Sequence, residues 1–307
     1  MKKIVVSLLF LIIISGLMGG CVEEETKDDT LSILVTIVPQ VEMVEAIGGD
    51  LVDVTVMVPT GESPHSFEPT PDQMIQISQA TAYFKVGSGV EFELTYMNTI
   101  LEQNPELIVY DCSEEIDIKS FDEHYGKEYF EEEHHDSTND DHDHDGTDPH
   151  VWTSPVNFKK MATVVYEGLI EIDPDHEQDY SEQYQNYIDE LDLLHQNISD
   201  MLAEYEGKSF MVYHPAWGYF GDTYNLKMIA IEDEGKQPGP TGIAAIIDQA
   251  QNESISVIFV SPQFDTSSAE TIASEINGNV VSVDPLTADY TTTIRTLAET
   301  LVKGYSK

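Results

Sequence analysis

The chain has 307 residues, 41% of them hydrophobic and 9% aromatic, which excludes a disordered chain and leaves room for two domains of ordinary size, each with its own core. Only 14 Lys and Arg face 57 Asp and Glu, and the formal net charge of −43 excludes nucleic acid and anionic membrane surfaces as electrostatic partners. Such a surface favours cations, although a salty habitat selects the same composition.

Met1-Lys2-Lys3 is a short basic start, residues 4–14 are an almost purely apolar run, and "SGLMGGC" follows with small residues and Cys21. This is the pattern of a secretory signal over residues 1–20, too short for a membrane span. A cysteine directly after Gly19-Gly20 resembles a lipoprotein cleavage site. Cys21 is therefore expected to carry a lipid anchor, with residues 21–30 a polar tether at the outer face of the cell membrane. Met18 stands where leucine is more usual, and an ordinary signal cleaved nearby is the alternative. If Cys21 is lipidated, Cys112 is the one cysteine left and no internal disulfide can form. Its place after the apolar "LIVYD" predicts a buried, inert thiol.

Apolar, β-branched runs predict strands at "LSILVTIVP" (31–39), "LVDVTVMVP" (51–59), "AYFKVG" (82–87) and "LIVYD" (107–111), with helical spacing between them. The run 122–148 breaks this pattern. Twelve of its 27 residues are acidic and five are histidine, so it has little to bury and is expected to be a mobile loop. Residues 175–206 contain no Gly or Pro, and Tyr180, Tyr184, Tyr187, Leu191, Leu194, Ile198, Met201 and Tyr205 recur every three or four positions. That spacing predicts one amphipathic helix roughly 45 Å long, with Pro174 in its first turn and Gly207 as its stop. A second set of strands follows at "SFMVY" (209–213), "KMIAI" (227–231), "VIFV" (257–260) and "VVSV" (280–283), again alternating with helical segments. The fold class is α/β, with two lobes each built on a mostly parallel sheet flanked by helices. The expected division is an N-terminal lobe over 31–172 that includes the loop 122–148, a linking helix over 173–206, and a C-terminal lobe over 207–307.

In open parallel sheets, ligands gather at the carboxyl ends of the strands. His65 lies in "GESPHSFEPTP" just past the strand ending at Pro59, His214 follows "SFMVY", and Asp284 follows "VVSV". His150, in "DPHVW", lies between the acidic loop and the helix that begins near Pro155. Three histidines and a carboxylate, none within a low-complexity run, could close a tetrahedral zinc site with two ligands from each lobe. Each residue taken singly also has a structural reading: a histidine beside Pro and Trp is often a hydrogen-bonded structural residue, and Asp-Pro is a common turn.

Together, "VPTGESPHSFEPTP", "DPHVWTSPVN", "YHPAWGYF" and "VIFVSPQF…VVSVDPLTADY" resemble the metal-specific solute-binding proteins of ABC transporters, the zinc and manganese uptake family. The motifs occur in the family's order and cover nearly the whole chain from Leu31 onward. The resemblance implies two α/β lobes bridged by a rigid long helix, with a metal in the cleft held by His65, His150, His214 and Asp284. It implies a monomeric receptor, not an enzyme, that captures Zn2+ outside the membrane and presents it to an ABC permease. Histidine at position 214 is similar to the zinc branch, since manganese-preferring relatives tend to have glutamate there. Mn2+ and Fe2+ are the alternatives, but three imidazoles bind Zn2+ more strongly than Mn2+. The acidic histidine-rich loop is likewise typical of zinc members. His124, His134, His135, His142 and His144 are expected as weak secondary metal sites on it, or as part of a solvated charge run. His176 and His195 read as ordinary surface residues. Some zinc members carry a disulfide in the second lobe; this chain has no cysteine there. Two other readings are a metal-dependent surface adhesin and a zinc enzyme. Four protein ligands and the lack of an H-E-x-x-H helix weigh against the enzyme.

Overall fold

The computed structural model describes residues 30–121, 146–232 and 236–306. The first sheet holds β1 (Leu31–Ile37), β2 (Val52–Val58), β3 (Ala82–Lys85) and β4 (Ile108–Asp111), in the order β2-β1-β3-β4. The second holds β5 (Ser209–Val212), β6 (Lys227–Ala230), β7 (Val257–Val260) and β8 (Asn279–Ser282), in the order β6-β5-β7-β8. All six strand pairings are parallel, so the two sheets repeat one winding. In each sheet the strand order reverses beside the central pair, β1 and β3 in one and β5 and β7 in the other. Those are the switch points at whose carboxyl ends a crevice opens.

The first lobe carries α1 (Pro39–Gly48), α2 (Pro71–Gln79) and α3 (Glu91–Gln103); α4 (Pro155–Ile172) and α5 (Glu177–Leu202) lead across to the second. There α6 (Gly218–Thr223), α7 (Pro240–Asn252) and α8 (Ser267–Glu275) follow, and α9 (Tyr290–Tyr305) packs back against α5. Proline opens α1, α2, α4 and α7, where its missing N–H costs no hydrogen bond. Thr70 and Gln73 form a reciprocal capping box at α2, and Ser154 caps α4.

The linking helix tightens at both ends of its predicted span. Tight 3-10 turns, Pro174–His176 and Ala203–Tyr205, stand at either end of α5. At the start, Asp173 accepts hydrogen bonds from Tyr180 Oη at 2.8 Å and lies 2.7 Å from His176 Nδ1, which draws the first turn inward. At the end, Gly207 takes φ +77°, a conformation that other residues rarely adopt. Tyr180, Tyr187, Leu191, Leu194, Ile198 and Leu202 are buried along one face, and Tyr184 stacks on Tyr166 of α4 with ring centres 4.2 Å apart.

One continuous core runs from the first sheet through α4 and α5 into the second lobe. There it takes in Phe210, Val212, Met228, Ala230 and Phe259, with Ile294, Leu297 and Leu301 of α9. The alternate residues Met211, Ile229, Ile258 and Val260 point to the other face, where α7 and α8 enclose a separate core with Ile246, Ala250, Ile272 and Ala273. Direct contacts also tie the lobes: Phe158 stacks on Tyr290 at 3.6 Å, and Trp152 Nε1 donates to the Pro285 carbonyl at 2.9 Å. Glu42 accepts from Tyr187 Oη at 2.9 Å and from the Tyr290 N–H at 2.7 Å.

The described residues resume at Gly146, before the end of the acidic run. Phe121 N–H donates to the Gly146 carbonyl and Asp148 N–H to the Lys119 carbonyl, both at 2.8 Å, and Asp148 is fully buried. Composition places Asp148 in the solvated run, whereas its specific partners place it inside. Cys112 is buried as expected, and burial pushes its thiol far above the ordinary range.

Helix α4 comes close to the first sheet at Gly168, where a Cβ would stand 2.6 Å from Cε1 of Phe84 and 3.1 Å from Cε2 of Tyr110. Phe84 is fully buried and stacks on Tyr110 at 4.9 Å, so its ring has no room to retreat. Gly168→Val is expected to cost about 1–3 kcal/mol of stability through overpacking. Denaturant unfolding measures it, and parental stability would mean that α4 can lift off the sheet.

Candidate metal centre

His65 is carried on the turn between β2 and α2. Its N–H reaches Ser63 Oγ at 3.4 Å, and the backbone is folded by Ser66 and Phe67 N–H groups donating to the Ser63 carbonyl. His150 opens the 3-10 turn Val151–Thr153 ahead of α4 and is almost completely buried. His214 follows β5 by two residues, and Phe264, from the loop after β7, stacks on its ring at 4.4 Å and 22°.

The three imidazoles converge from both lobes. Ring centres lie 5.9 Å apart for His65 and His150, 5.2 Å for His65 and His214, and 5.0 Å for His150 and His214. One nitrogen of each ring lies within 4.8 Å of the others, and the Nε2 atoms of His150 and His214 are 3.2 Å apart. Two nitrogens bound to one tetrahedral zinc at about 2.0–2.1 Å would stand about 3.3 Å apart, so this spacing fits the ion.

Each ring has a carboxylate at its other nitrogen. His65 Nδ1 lies 2.8 Å from Glu91 Oε2, His150 Nδ1 lies 2.7 Å from Asp148 Oδ1, and His214 Nδ1 lies 2.5 Å from Glu232 Oε1. The Asp148 oxygen also accepts the backbone N–H of His150 at 2.9 Å, locking that ring to its own main chain. A carboxylate on Nδ1 holds the proton there, which turns the Nε2 lone pair inward and makes the ring a better donor to metal. Convergent lone pairs at such distances repel one another and are drawn together by a cation.

Asp284, the fourth residue expected from sequence, lies outside this group. Its Oδ1 accepts the Gln263 side-chain amide at 3.0 Å and the Leu286 N–H at 2.9 Å. Its neighbours Pro285 and Leu286 nevertheless line the same pocket as the three imidazoles, with Gln263, Phe264 and Trp152. Trp217 does not line it; its ring is buried 6.2 Å from that of Phe220. The proposed anchor at Cys21 and the loop histidines His124, His134, His135, His142 and His144 lie outside the described residues. His176 and His195 are remote from the cluster, beside Asp173 and Tyr224 respectively.

Sequence reasoning missed the three carboxylates. Glu232 follows β6 and obeys the same carboxyl-end rule as His214; Asp148 precedes His150 in "DPH"; only Glu91, at the start of α3, carries no such signal. Burial pushes the Glu91 carboxyl up, but the hydrogen bond and charge of His65 prevail and hold it below its ordinary value.

A family model described as the zinc-uptake complex component A, periplasmic, matches residues 33–304. The chain belongs to this family. Among its relatives, the zinc-binding lipoprotein AdcA of Streptococcus pneumoniae is 24% identical over 288 residues, covering 93% of this chain and 56% of AdcA. The chain thus spans about half the length of that relative. The manganese-binding lipoprotein MntA of Halalkalibacterium halodurans is 25% identical over 283 residues, covering 90% of this chain and 86% of MntA. A crystal structure of ZnuA superposes with a TM-score of 0.79 at 33% identity, over 90% of this chain and 99% of that one. The two-lobed architecture with its linking helix is that of the zinc-uptake component family.

Burial, reinforced by the neighbouring His150 and His65 rings, holds His214 well below its ordinary value. In the unfolded chain a histidine titrates near 6.5. Below that pH the unfolded state takes up a proton that the folded, ion-free protein refuses. Stability is therefore full above about pH 6.5 and falls as pH drops toward the folded value, by up to about 1.4 kcal/mol per unit. The depressed Glu91 acts in the same direction only at lower pH, where carboxylates titrate. Denaturant unfolding of the ion-free protein at pH 7.5 and 5.5 should give this loss, and His214→Gln should reduce it.

Proposed function

We propose that this protein is an extracytoplasmic receptor that captures Zn2+ in the cleft between its lobes and delivers it to an ABC permease in the membrane. His65, His150 and His214 hold the ion, Asp284 is the candidate for a fourth position, and a lipid on Cys21 keeps the receptor at the membrane. The observation that carries this reading is the set of three imidazoles, each with a carboxylate at Nδ1 and its other nitrogen turned to a common point.

The chemistry follows from that set. Burial keeps His214 neutral at ordinary pH, so the ring is ready to donate without first losing a proton. Three imidazole nitrogens with fixed tautomers suit Zn2+ better than Mn2+ on the divalent affinity order. The ion bridges the lobes, since His65 and His150 come from one side and His214 from the other; release requires His214 to draw away. No covalent chemistry is involved, and the family is one of transport components. The relative named for manganese favours Mn2+ as the second reading of the cargo.

Competition titration against a chelator tests the site. Zinc binding free energies of about 10–16 kcal/mol shared among about four ligands predict a loss of roughly a hundredfold or more for His214→Ala. His176→Ala should leave affinity unchanged, and Asp284→Ala should cost less than His214→Ala. Equal losses at His214 and His176 would end this assignment, and tighter binding of Mn2+ than Zn2+ would favour the second reading.

Trp152 offers an optical check, because its ring lies 5.2 Å from that of His150 and lines the pocket. Zn2+ should change the intrinsic fluorescence of the protein. The change should survive Trp217→Phe and disappear in Trp152→Phe.

A further inference from the structure

Glu93 is a buried carboxylate that takes no part in the cluster of imidazoles. It lies in the first turn of α3, only 5% exposed, and its side chain turns back to the end of β3. Oε1 accepts the Val86 N–H at 2.6 Å and the Thr36 hydroxyl of β1 at 2.5 Å, while Oε2 accepts the Gly87 N–H at 2.9 Å. Thr36 is braced in turn by Tyr83 Oη of β3 at 2.8 Å. Burial raises the Glu93 carboxyl, a cost that three donors partly offset and that an apolar residue would not incur.

The segment so anchored, residues 86–93, fastens both histidines of the first lobe. Ser88 Oγ donates at 2.5 Å to the carbonyl of Pro149, the residue before His150. Phe92 N–H donates at 3.1 Å to the carbonyl of Pro64, the residue before His65. Glu91 lies against His65 Nδ1. Gly87 and Gly89 take φ +88° and +94°, and a Cβ on Gly87 would overlap the Asp111 carboxylate, so the turn is shaped for glycine. The segment therefore touches the backbone just ahead of each ring and the Nδ1 of one of them. Glu93 links it to the sheet through Thr36 of β1.

We propose that Glu93 is a positioning residue for ion binding: by closing residues 86–93 on themselves at Val86 and Gly87 and pinning them to Thr36 of β1, it sets the placement of His65 and His150 relative to each other. This rests on the receptor reading above. Glutamine at position 93 keeps the volume but presents an amide donor to one of the two backbone N–H groups, which releases one end of the pin. Thr36, Tyr83 and the surrounding core remain in place.

The test is a Zn2+ competition titration on the full chain with wild type, Glu93→Gln, Glu91→Gln, Ser88→Ala and combinations. Glu93→Gln should weaken binding about 10- to 100-fold, the usual effect of removing a group that orients a ligand. A positioning role, unlike mere support of the fold, predicts that this loss shrinks to about threefold or less when Glu91→Gln and Ser88→Ala are already present, because those groups transmit it. It also predicts that the His65 Nδ1 proton signal in NMR shifts in the ion-free Glu93→Gln protein. Unchanged affinity in a folded Glu93→Gln protein, or a loss that stays the same in the combined variant, overturns the proposal. If Glu93→Gln does not fold, Ser88→Ala decides: a severalfold loss supports the clasp and unchanged affinity overturns it. A wild type that takes up no Zn2+ would instead overturn the receptor reading, and the His65 proton signal would still report on the pin.

Discussion

Lone pairs that converge on one point repel, and the fold has to hold three of them together. The cluster of His65, His150 and His214 is possible because each ring is held from behind. Glu91, Asp148 and Glu232 come from three different elements, so no single loop sets the geometry. A carboxylate behind an imidazole also makes the front nitrogen more electron-rich. The arrangement therefore raises both the repulsion in the ion-free protein and the attraction for a cation. The large negative charge of the chain acts in the same direction at longer range, by concentrating cations near the cleft.

The positions of these groups follow from the repeated winding of the two sheets. Each sheet reverses strand order beside its central pair, and the loops that carry the cluster leave the carboxyl ends near those reversals. His214 and Phe264 follow β5 and β7; the segment with Ser88 and Glu91 follows β3. What sets the two crevices face to face is the crossing through α4 and α5, together with the contacts Trp152–Pro285, Phe158–Tyr290 and Glu42–Tyr290. Each of these pairs joins a residue ahead of α5 to one after it.

Much of this was legible in the sequence. The eight strands are marked by apolar β-branched runs, and the long helix by its three-and-four spacing, because burial imposes those periods directly. His65 and His214 were legible from their places beyond strands, and His150 from the motif "DPHVW" that carries a family resemblance. Their carboxylate partners were missed, although Glu232 follows a strand as His214 does. Asp148 sits at the edge of an acidic run, and composition gives no sign that this one carboxylate is buried while its neighbours in the run are counted as solvated. Glu91 reads as an ordinary first-turn glutamate, and its pairing with His65 spans 26 positions that local patterns cannot connect. Asp284 shows the reverse case. Its position after β8 is legible from the sequence, but the bonds that Gln263 and the Leu286 N–H make to its Oδ1 are revealed only in three dimensions.

The core that passes unbroken from the first sheet to the inner face of the second has a further consequence. Lobes that share their interior cannot come apart as separate bodies without exposing the apolar surface that both depend on. Melting should thus be a joint event for the first lobe, α5, α9 and the inner face of the second sheet. The smaller core behind the second sheet, under α7 and α8, is the portion able to open by itself. An ion bound between the lobes would then stabilise almost the whole molecule at once, by mass action on a single cooperative unit. That leaves little scope for wide hinge closure, and on the proposed receptor reading the loaded and empty states would differ by small displacements around the mouth of the cleft.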